Sequence, residues 1–177
     1  LPEPGKVASV VLSRHPAAVL LPTAAIEWLS QLHYLNCFVD EAGLDPLTRH
    51  IFKSHWREES QHARLEHAET VRAFRKLTIV EQERAIDDFI DLVTGVEGLL
   101  HIQARLDVEN LQRCIWRRLP KTEQAEILTA VLAAKRDTFV EGGLTQPNFQ
   151  ELLRMVATPA QQQKVRQALG TVLTTAV

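Results

Sequence analysis

The sequence contains little cysteine, glycine or proline. Its two cysteines, Cys37 and Cys114, are too few for a disulfide scaffold, and they form no Cys-x-x-Cys pair for zinc or redox chemistry. Most of the seven glycines and eight prolines fall in clusters, so they separate segments more often than they interrupt them. These shortages exclude a disulfide-rich secreted fold and favour long helices.

An excess of basic charge is also missing. The chain has 20 Lys and Arg against 22 Asp and Glu, whereas non-specific binding to a phosphate backbone needs a clear basic surplus. No apolar run approaches the roughly 20 residues of a membrane span, and the first residues lack the pattern of a signal peptide. We therefore expect no nucleic acid and no membrane as a partner, and a cytoplasmic location.

Methionine occurs only once, at Met155, and the chain begins with Leu1. The length fits a single domain, residues 1–177. Because position 1 is not a translation start, either residues were removed by processing or the domain is part of a longer polypeptide, and we expect it to be the C-terminal part of a longer chain.

The remaining pattern is helical, since no stretch alternates with period two for long enough to predict a strand. Asp45 followed by Pro46 predicts a helix start, and Thr78 with Glu81 forms a capping box. The fold class is therefore all-α. We predict four long helices, at about 22–41, 45–75, 78–119 and 122–141, and two shorter C-terminal helices at about 147–157 and 159–174.

A histidine and glutamate motif lies in the second predicted helix. His55, Glu59 and His62 are spaced i, i+4 and i+7, which places them on one helical face within an arc of roughly 60°. A solvated face of a charged helix is the alternative, although Lys and Glu pairs are more usual there. Apolar neighbours predict that this face turns toward the core: Ile51, Phe52, Ala63, Leu65 and Ala73.

Glu27 lies on a largely apolar face of the first predicted helix. A carboxylate buried there without a partner would be strongly destabilising or would stay protonated. A metal ion shared with the second helix would remove that cost, so we predict Glu27, His55, Glu59 and His62 as metal ligands within region 22–69. The alternative is a structural Glu27, paired with an arginine or hydrogen-bonded by Tyr34.

The third predicted helix contains a second-tier pair of candidate ligands, Glu97 and His101. They are spaced i, i+4 inside an apolar stripe. The alternative is that they satisfy each other or neutralise groups around a metal. The fourth predicted helix has no Glu-x-x-His, which a carboxylate-bridged pair of metal ions typically needs.

The predicted ligands offer nitrogen and oxygen but no sulfur. Such a set suits iron or manganese better than a structural zinc site, although it does not exclude zinc. One set of four ligands holds one ion, and a pair of ions needs further acids.

The spacing of these ligands resembles a known family. A Glu followed 28 residues later by His-x3-Glu-x2-His is similar to the second half of the di-iron site in ferritin-like N-oxygenases, typified by the p-aminobenzoate N-oxygenase of aureothin biosynthesis. The similarity covers about residues 22–69. It implies that Glu27 is the later carboxylate, His55 the additional histidine, Glu59 the bridging carboxylate and His62 the terminal histidine.

The resemblance implies a ferritin-like helical bundle with a di-iron centre, in which O2 oxidises a small organic substrate such as an amine. Tyr34 and Trp28 would line the pocket or serve as core packing, and manganese or a homo-oligomer is compatible with this scheme. In the family, upstream helices complete the site, and we expect the same here. The other routes are a second chain, or Glu97 with His101.

Other functions stay open at this stage. A weaker likeness connects the motif to haem-oxygenase-like di-iron oxidases, which use Asp where this chain has Glu59. A non-enzymatic helical module that binds another protein, and a metal storage protein of the ferritin type, are the two alternatives to an oxygenase.

Overall fold

Residues 2–174 fold into helices. The computed structural model describes the backbone of these residues and the side chains of residues 2–170, and no strand occurs in that part of the chain. The prediction of an all-α protein is therefore confirmed. The helices are α1 (Pro4–Leu12), α2 (Pro16–Cys37), α3 (Pro46–Phe74), α4 (Ile79–Cys114), α5 (Lys121–Arg136), a π-helical turn (Asp137–Glu141), α6 (Gly142–Leu144), α7 (Pro147–Val156) and α8 (Pro159–Thr174).

The N-terminal helices differ from the prediction. The sequence pattern did not predict α1, and α2 begins at Pro16 instead of Pro22. His15 caps α2, because its Nδ1 accepts a hydrogen bond from the backbone nitrogen of Ala17 at 3.2 Å. Pro16 then occupies the first helical turn, where a missing N–H costs nothing. Pro22 lies inside the helix, so its position was a poor marker of the helix start.

The predicted caps of α3 and α4 are confirmed. Asp45 Oδ1 accepts hydrogen bonds from the backbone nitrogens of Leu47 and Thr48, each at 3.0 Å. Thr78 and Glu81 form the reciprocal capping box at the start of α4. These caps satisfy backbone donors that a helix start otherwise leaves without partners.

One hydrophobic core joins α2, α4, α7 and α8 with the C-terminal end of α3. Its largest fully buried apolar side chains are Leu21, Phe74, Ile86, Phe89, Phe149, Leu152 and Val140. Within α3, the buried residues are Ala63, Thr70, Val71 and Phe74. The N-terminal half of α3 therefore lies outside this core, against α2.

Stacked aromatic rings hold the N-terminal half of α3 on α2. The ring centroids of Phe38 and Phe52 lie 3.9 Å apart, and those of Tyr34 and Trp56 lie 5.1 Å apart. Gln31 Nε2 also donates a hydrogen bond to the carbonyl oxygen of Trp56 at 3.2 Å. These contacts fix the register of the α2–α3 hairpin, which carries the predicted metal ligands.

Gly143 permits a close approach between α6 and α2. A Cβ atom at this position would lie 3.1 Å from the carbonyl oxygen of Ala25, which is tighter than ordinary van der Waals contact. The absence of a side chain at Gly143 lets the α6 backbone pack directly on α2, two residues before Glu27.

No single helix among the described residues is both long and apolar enough to cross a membrane. Together, α1 and α2 reach the required length and composition, but they are bent by 119° at their junction.

Candidate metal centre

Two carboxyl groups meet where α2 packs on α3. Glu27 on α2 and Glu59 on α3 share a hydrogen bond between their side chains. Burial, followed by this hydrogen bond and the charge of Glu59, raises the pKa of Glu27 to about 7. The same hydrogen bond, with help from His62 and His55, lowers the pKa of Glu59. The Glu27 carboxyl therefore keeps its proton to a higher pH than an ordinary glutamate does, and in that protonated form it donates a hydrogen bond to the Glu59 carboxylate.

Glu59 lies between two histidines of its own helix. Its Oε1 lies 3.0 Å from His55 Nε2, and its Oε2 lies 3.1 Å from His62 Nδ1. The spacing i, i+4 and i+7 thus places the three side chains on one face of α3, as the sequence predicted.

Three of the four predicted ligands converge. One donor atom each from Glu27, Glu59 and His62 lies within 4.8 Å of the others. His55 contacts Glu59 but lies outside this group of three. The structure therefore offers a compact set of two carboxylates and one imidazole, with a second imidazole at its edge.

The histidine side of the centre is open to solvent. The Glu59 side chain is 17% exposed, whereas those of His62 and His55 are 49% and 60% exposed. The prediction that this strip faces the core is wrong, since Ile51 and Leu65 are also exposed. The buried face of α3 is rotated toward Trp56, Ala63 and Phe74, and Glu59 lies at its margin.

The structure adds Glu66, which sequence reasoning missed. Its Oε2 exposes less than 1 Å² and has no hydrogen-bond partner among the described residues. The charge of Glu66 is close enough to contribute to the raised pKa of Glu27. The sequence pattern that could have identified Glu66 is its spacing, because it follows His62 by four residues and Glu59 by seven.

Aromatic side chains lie along the α2–α3 hairpin that carries the centre. Tyr34 is buried and stacks on Trp56, and Trp28 meets the edge of the His67 ring at a centroid distance of 6.3 Å. The indole nitrogens of Trp28 and Trp56 are buried, with no acceptor among the described residues. Neither an arginine nor Tyr34 accounts for Glu27, whose described partner is Glu59.

Glu97 and His101, the second-tier pair, have a different environment. Glu97 Oε1 accepts hydrogen bonds from Nε and Nη2 of Arg136 on α5, the first at 2.6 Å. His101 Nε2 lies 3.1 Å from the same oxygen. The cationic guanidinium already neutralises Glu97, and neither residue belongs to the Glu27, Glu59 and His62 group.

The donor set fits a divalent transition metal. Carboxylate oxygen and imidazole nitrogen are ligands for iron, manganese and zinc. A cation between Glu27 and Glu59 would offset the negative charges that otherwise raise the pKa of Glu27. Binding there would release the Glu27 proton, since ligands must be deprotonated.

No protein-family model, curated protein or solved structure matches this chain. Its function is therefore inferred from the geometry of the α2–α3 hairpin.

Proposed function

We propose that this protein is a ferritin-like, non-haem iron oxidase or oxygenase that uses O2 to oxidise a small organic substrate such as an amine. The observation that supports this proposal is the convergence of the Glu27 and Glu59 carboxyl groups with the His62 imidazole, whose donor atoms lie within 4.8 Å of one another. Two acids forced together at low exposure, with an imidazole at ligand distance, are typical of a cation site. A di-iron centre is the proposed cofactor, and manganese is the alternative.

Each residue has a proposed part in holding the metal. Glu59 lies centrally and would bridge, while Glu27 would bind as a bridging or terminal carboxylate. His62 would be a terminal nitrogen ligand, and His55 would join from the solvent side after leaving Glu59. Bound iron would supply the redox chemistry with O2.

The rest of the chemistry concerns the chain itself. Glu27 and Glu59 hold a proton in the metal-free state and give it up when a cation binds. Tyr34 and Trp28, on the same helix as Glu27, would line the pocket beside the carboxylates. The exposed edges of His55 and His62 leave the opposite side open to metal, O2 and substrate.

Metal analysis of purified protein tests this proposal. We expect iron or manganese to copurify with the wild-type chain and to be retained after desalting. Glu59→Ala should abolish metal binding and any O2-dependent oxidation of amines, because it removes the carboxylate that contacts both histidines and Glu27. Glu58→Ala, which changes an exposed neighbouring acid, is the matched control and should keep the metal. A Glu59→Ala protein with full metal content would contradict the assignment.

An interaction module is the second candidate, and one observation favours it. Leu47, Ile51 and Leu65 are 54–66% exposed on α3 and flank the histidine edge. A protein partner bound there would bury this strip without any metal. In that case the purified chain would contain no stoichiometric metal, and Ile51→Ser with Leu65→Ser would abolish partner binding while Glu59→Ala would not.

A further inference from the structure

A cleft lies between α1 and the adjoining faces of α2 and α4. Its volume is about 430 Å³, which is within the range of small-molecule sites. Three helices supply its mostly apolar walls, with Val7 and Val11 from α1, Val19 and Ile26 from α2, and Val96 and Leu99 from α4. Among the described residues, none of those that line the cleft belongs to α3. The cleft is therefore separate from the proposed metal centre.

Helix α1 is anchored at its junction with α2. Arg14 Nη1 donates hydrogen bonds to Asp91 Oδ2 at 2.7 Å and to Asp88 Oδ1 at 3.2 Å. The backbone nitrogen of His15 donates to Asp88 Oδ2 at 2.7 Å. No side chain of α1 itself is buried. The valines of α1 therefore keep apolar surface toward the cleft, and a ligand that covers this surface gains free energy in proportion to the area covered.

Lys6 supplies an uncompensated charge to the lining of the cleft. Its exposed side chain forms no hydrogen bond or ion pair with any group that the structure describes. Asp91 also lines the cleft, but it is paired with Arg14. Thr23 Oγ1 donates to the carbonyl oxygen of Val19 at 2.9 Å. The ammonium group of Lys6 therefore favours a ligand that carries an anionic group.

A second cavity, of about 400 Å³, continues the cleft toward the π-helical turn. The two spaces share four lining residues, Pro22, Ile26, Val96 and Leu99. At the far end, Lys135 Nζ lies 2.9 Å from Asp107 Oδ2, and Gln103 Nε2 donates to Asp107 Oδ1 at 2.8 Å. Because the polar groups at that end already have partners, an apolar chain fits along both spaces with its charged group at the Lys6 end.

We infer that the cleft binds an aliphatic molecule with an anionic head group, such as a fatty acid. The chain of the ligand packs on the apolar walls of α2 and α4, and its carboxylate pairs with Lys6 Nζ. Helix α1 covers the chain from the opposite side. The binding uses no ligand of the metal centre, so the inference goes beyond the proposed function and does not depend on it.

Calorimetric titration of the full chain with decanoate, and separately with neutral decanol, tests the head group. We expect the wild type to bind one decanoate per chain, about fivefold more tightly than decanol, which is the effect of a favourable exposed ion pair. Lys6→Gln should weaken decanoate binding about fivefold and leave the affinity for decanol unchanged.

Two glycines of α4 provide matched variants that test the location. Gly95 lines the cleft, whereas Gly98 lines neither of the two spaces. A Cβ atom at either position would have no atom within 4 Å, so neither substitution forces the backbone to shift. Gly95→Leu should fill the cleft and weaken decanoate binding by about tenfold or more. Gly98→Leu should bind decanoate as the wild type does, and circular dichroism verifies that α4 is intact in both variants.

Other results would overturn the inference. A wild type that binds no decanoate would do so, as would equal affinities for decanoate and decanol, or a Gly95→Leu protein with wild-type affinity. A dimer in sedimentation that Gly95→Leu abolishes and decanoate does not disrupt would assign the cleft to a second copy of the chain. Glu59→Ala should bind decanoate as the wild type does, whatever its metal content, so this inference and the proposed function fail separately.

Discussion

At the scale of single residues, Glu27 links the chemistry of the centre to the stability of the fold. Its pKa of about 7 in the folded chain lies well above its ordinary value near 4.5. Between these two pH values the folded state keeps a proton that the unfolded state has already released. In the metal-free protein, the contribution of Glu27 to stability is therefore fully present below pH 4.5 and is lost as the pH rises to about 7.

Glu27→Gln should remove this pH dependence, because glutamine can still donate to Glu59 and never ionises. In the presence of a chelator, we expect the variant to be more stable than the wild type at pH 8, by on the order of 1–2 kcal/mol. This free-energy difference is smaller than a direct conversion of the pKa difference would give, because solvent screens the charge of a partly exposed group. At pH 4.5 the two proteins should have nearly equal stability.

Urea unfolding at both pH values measures this difference. Glu58→Gln, at an exposed position on α3, is the control and should leave the pH profile unchanged. A stability difference between Glu27→Gln and the wild type that is the same at pH 4.5 and pH 8 would show that the carboxyl pair does not share a proton.

At the scale of helices, α6 packs on α2 through the close approach of Gly143 to the backbone of Ala25. This contact lies two residues before Glu27 on α2. A side chain at Gly143 would press on the carbonyl of Ala25, which is backbone and cannot rotate away. Gly98, in the middle of α4, has no atom within 4 Å of the position that a Cβ would take. A side chain is therefore excluded sterically at Gly143, whereas there is room for one at Gly98.

Substitution by alanine should act in opposite directions at the two glycines. We expect Gly143→Ala to destabilise the protein by about 1–3 kcal/mol through the forced shift of α6. Gly98→Ala should stabilise it by about 0.5–1 kcal/mol, since alanine is a better helix former. Thermal unfolding of both variants provides the comparison. Equal effects would mean that α6 does not pack tightly on α2.

The α4–α5 contact depends on the buried ion pair of Glu97 and Arg136. Their side chains are 10% and 8% exposed, and α5 gives way to the π-helical turn directly after Arg136. Removing one partner leaves a buried charge without compensation, which typically costs about 3–5 kcal/mol.

Arg136→Met should therefore be strongly destabilising, and the double variant Glu97→Leu with Arg136→Met should recover most of the loss. Chemical denaturation of the three variants, including Glu97→Leu, gives the required double-mutant cycle. The metal content of Glu97→Leu should equal that of the wild type. A lost ion in that variant would return Glu97 to the metal centre.

At the scale of the whole molecule, local signals predicted the helices well and their packing less well. The caps at Asp45 and Thr78 act through neighbouring residues, so the sequence alone indicates both helix starts. Pro22 was misread because His15 and Pro16 form a better start, and helix packing tolerates the internal proline. The apolar residues Ile51 and Leu65 suggested a core-facing strip, yet the hairpin contacts of Trp56 and Phe52 rotate it outward.

The candidate site was also predictable where it depends on local spacing, and not where it depends on packing between helices. Spacing along α3 brings His55, Glu59 and His62 to one face whatever the tertiary structure, and Glu27 was identified by its apolar surroundings. The sequence does not indicate which distant residues pair with each other, so it did not predict the contact of Arg136 with Glu97. The isolation of Glu66 Oε2 depends on the packing of α2 against α3, and no local pattern encodes it.

The exposure of His55 and His62 affects how fast a cation can enter or leave the proposed site. Because His55 and His62 are about half exposed and the N-terminal half of α3 lies outside the hydrophobic core, a cation can reach the carboxylates without any helix moving. Exchange of a metal at the proposed site would then be limited by the breaking of ligand bonds, and not by global unfolding. A chelator should strip the folded protein quickly at 25 °C while its far-ultraviolet circular dichroism stays constant. If the proposed site binds a metal, its occupancy would then follow the free metal concentration around the protein.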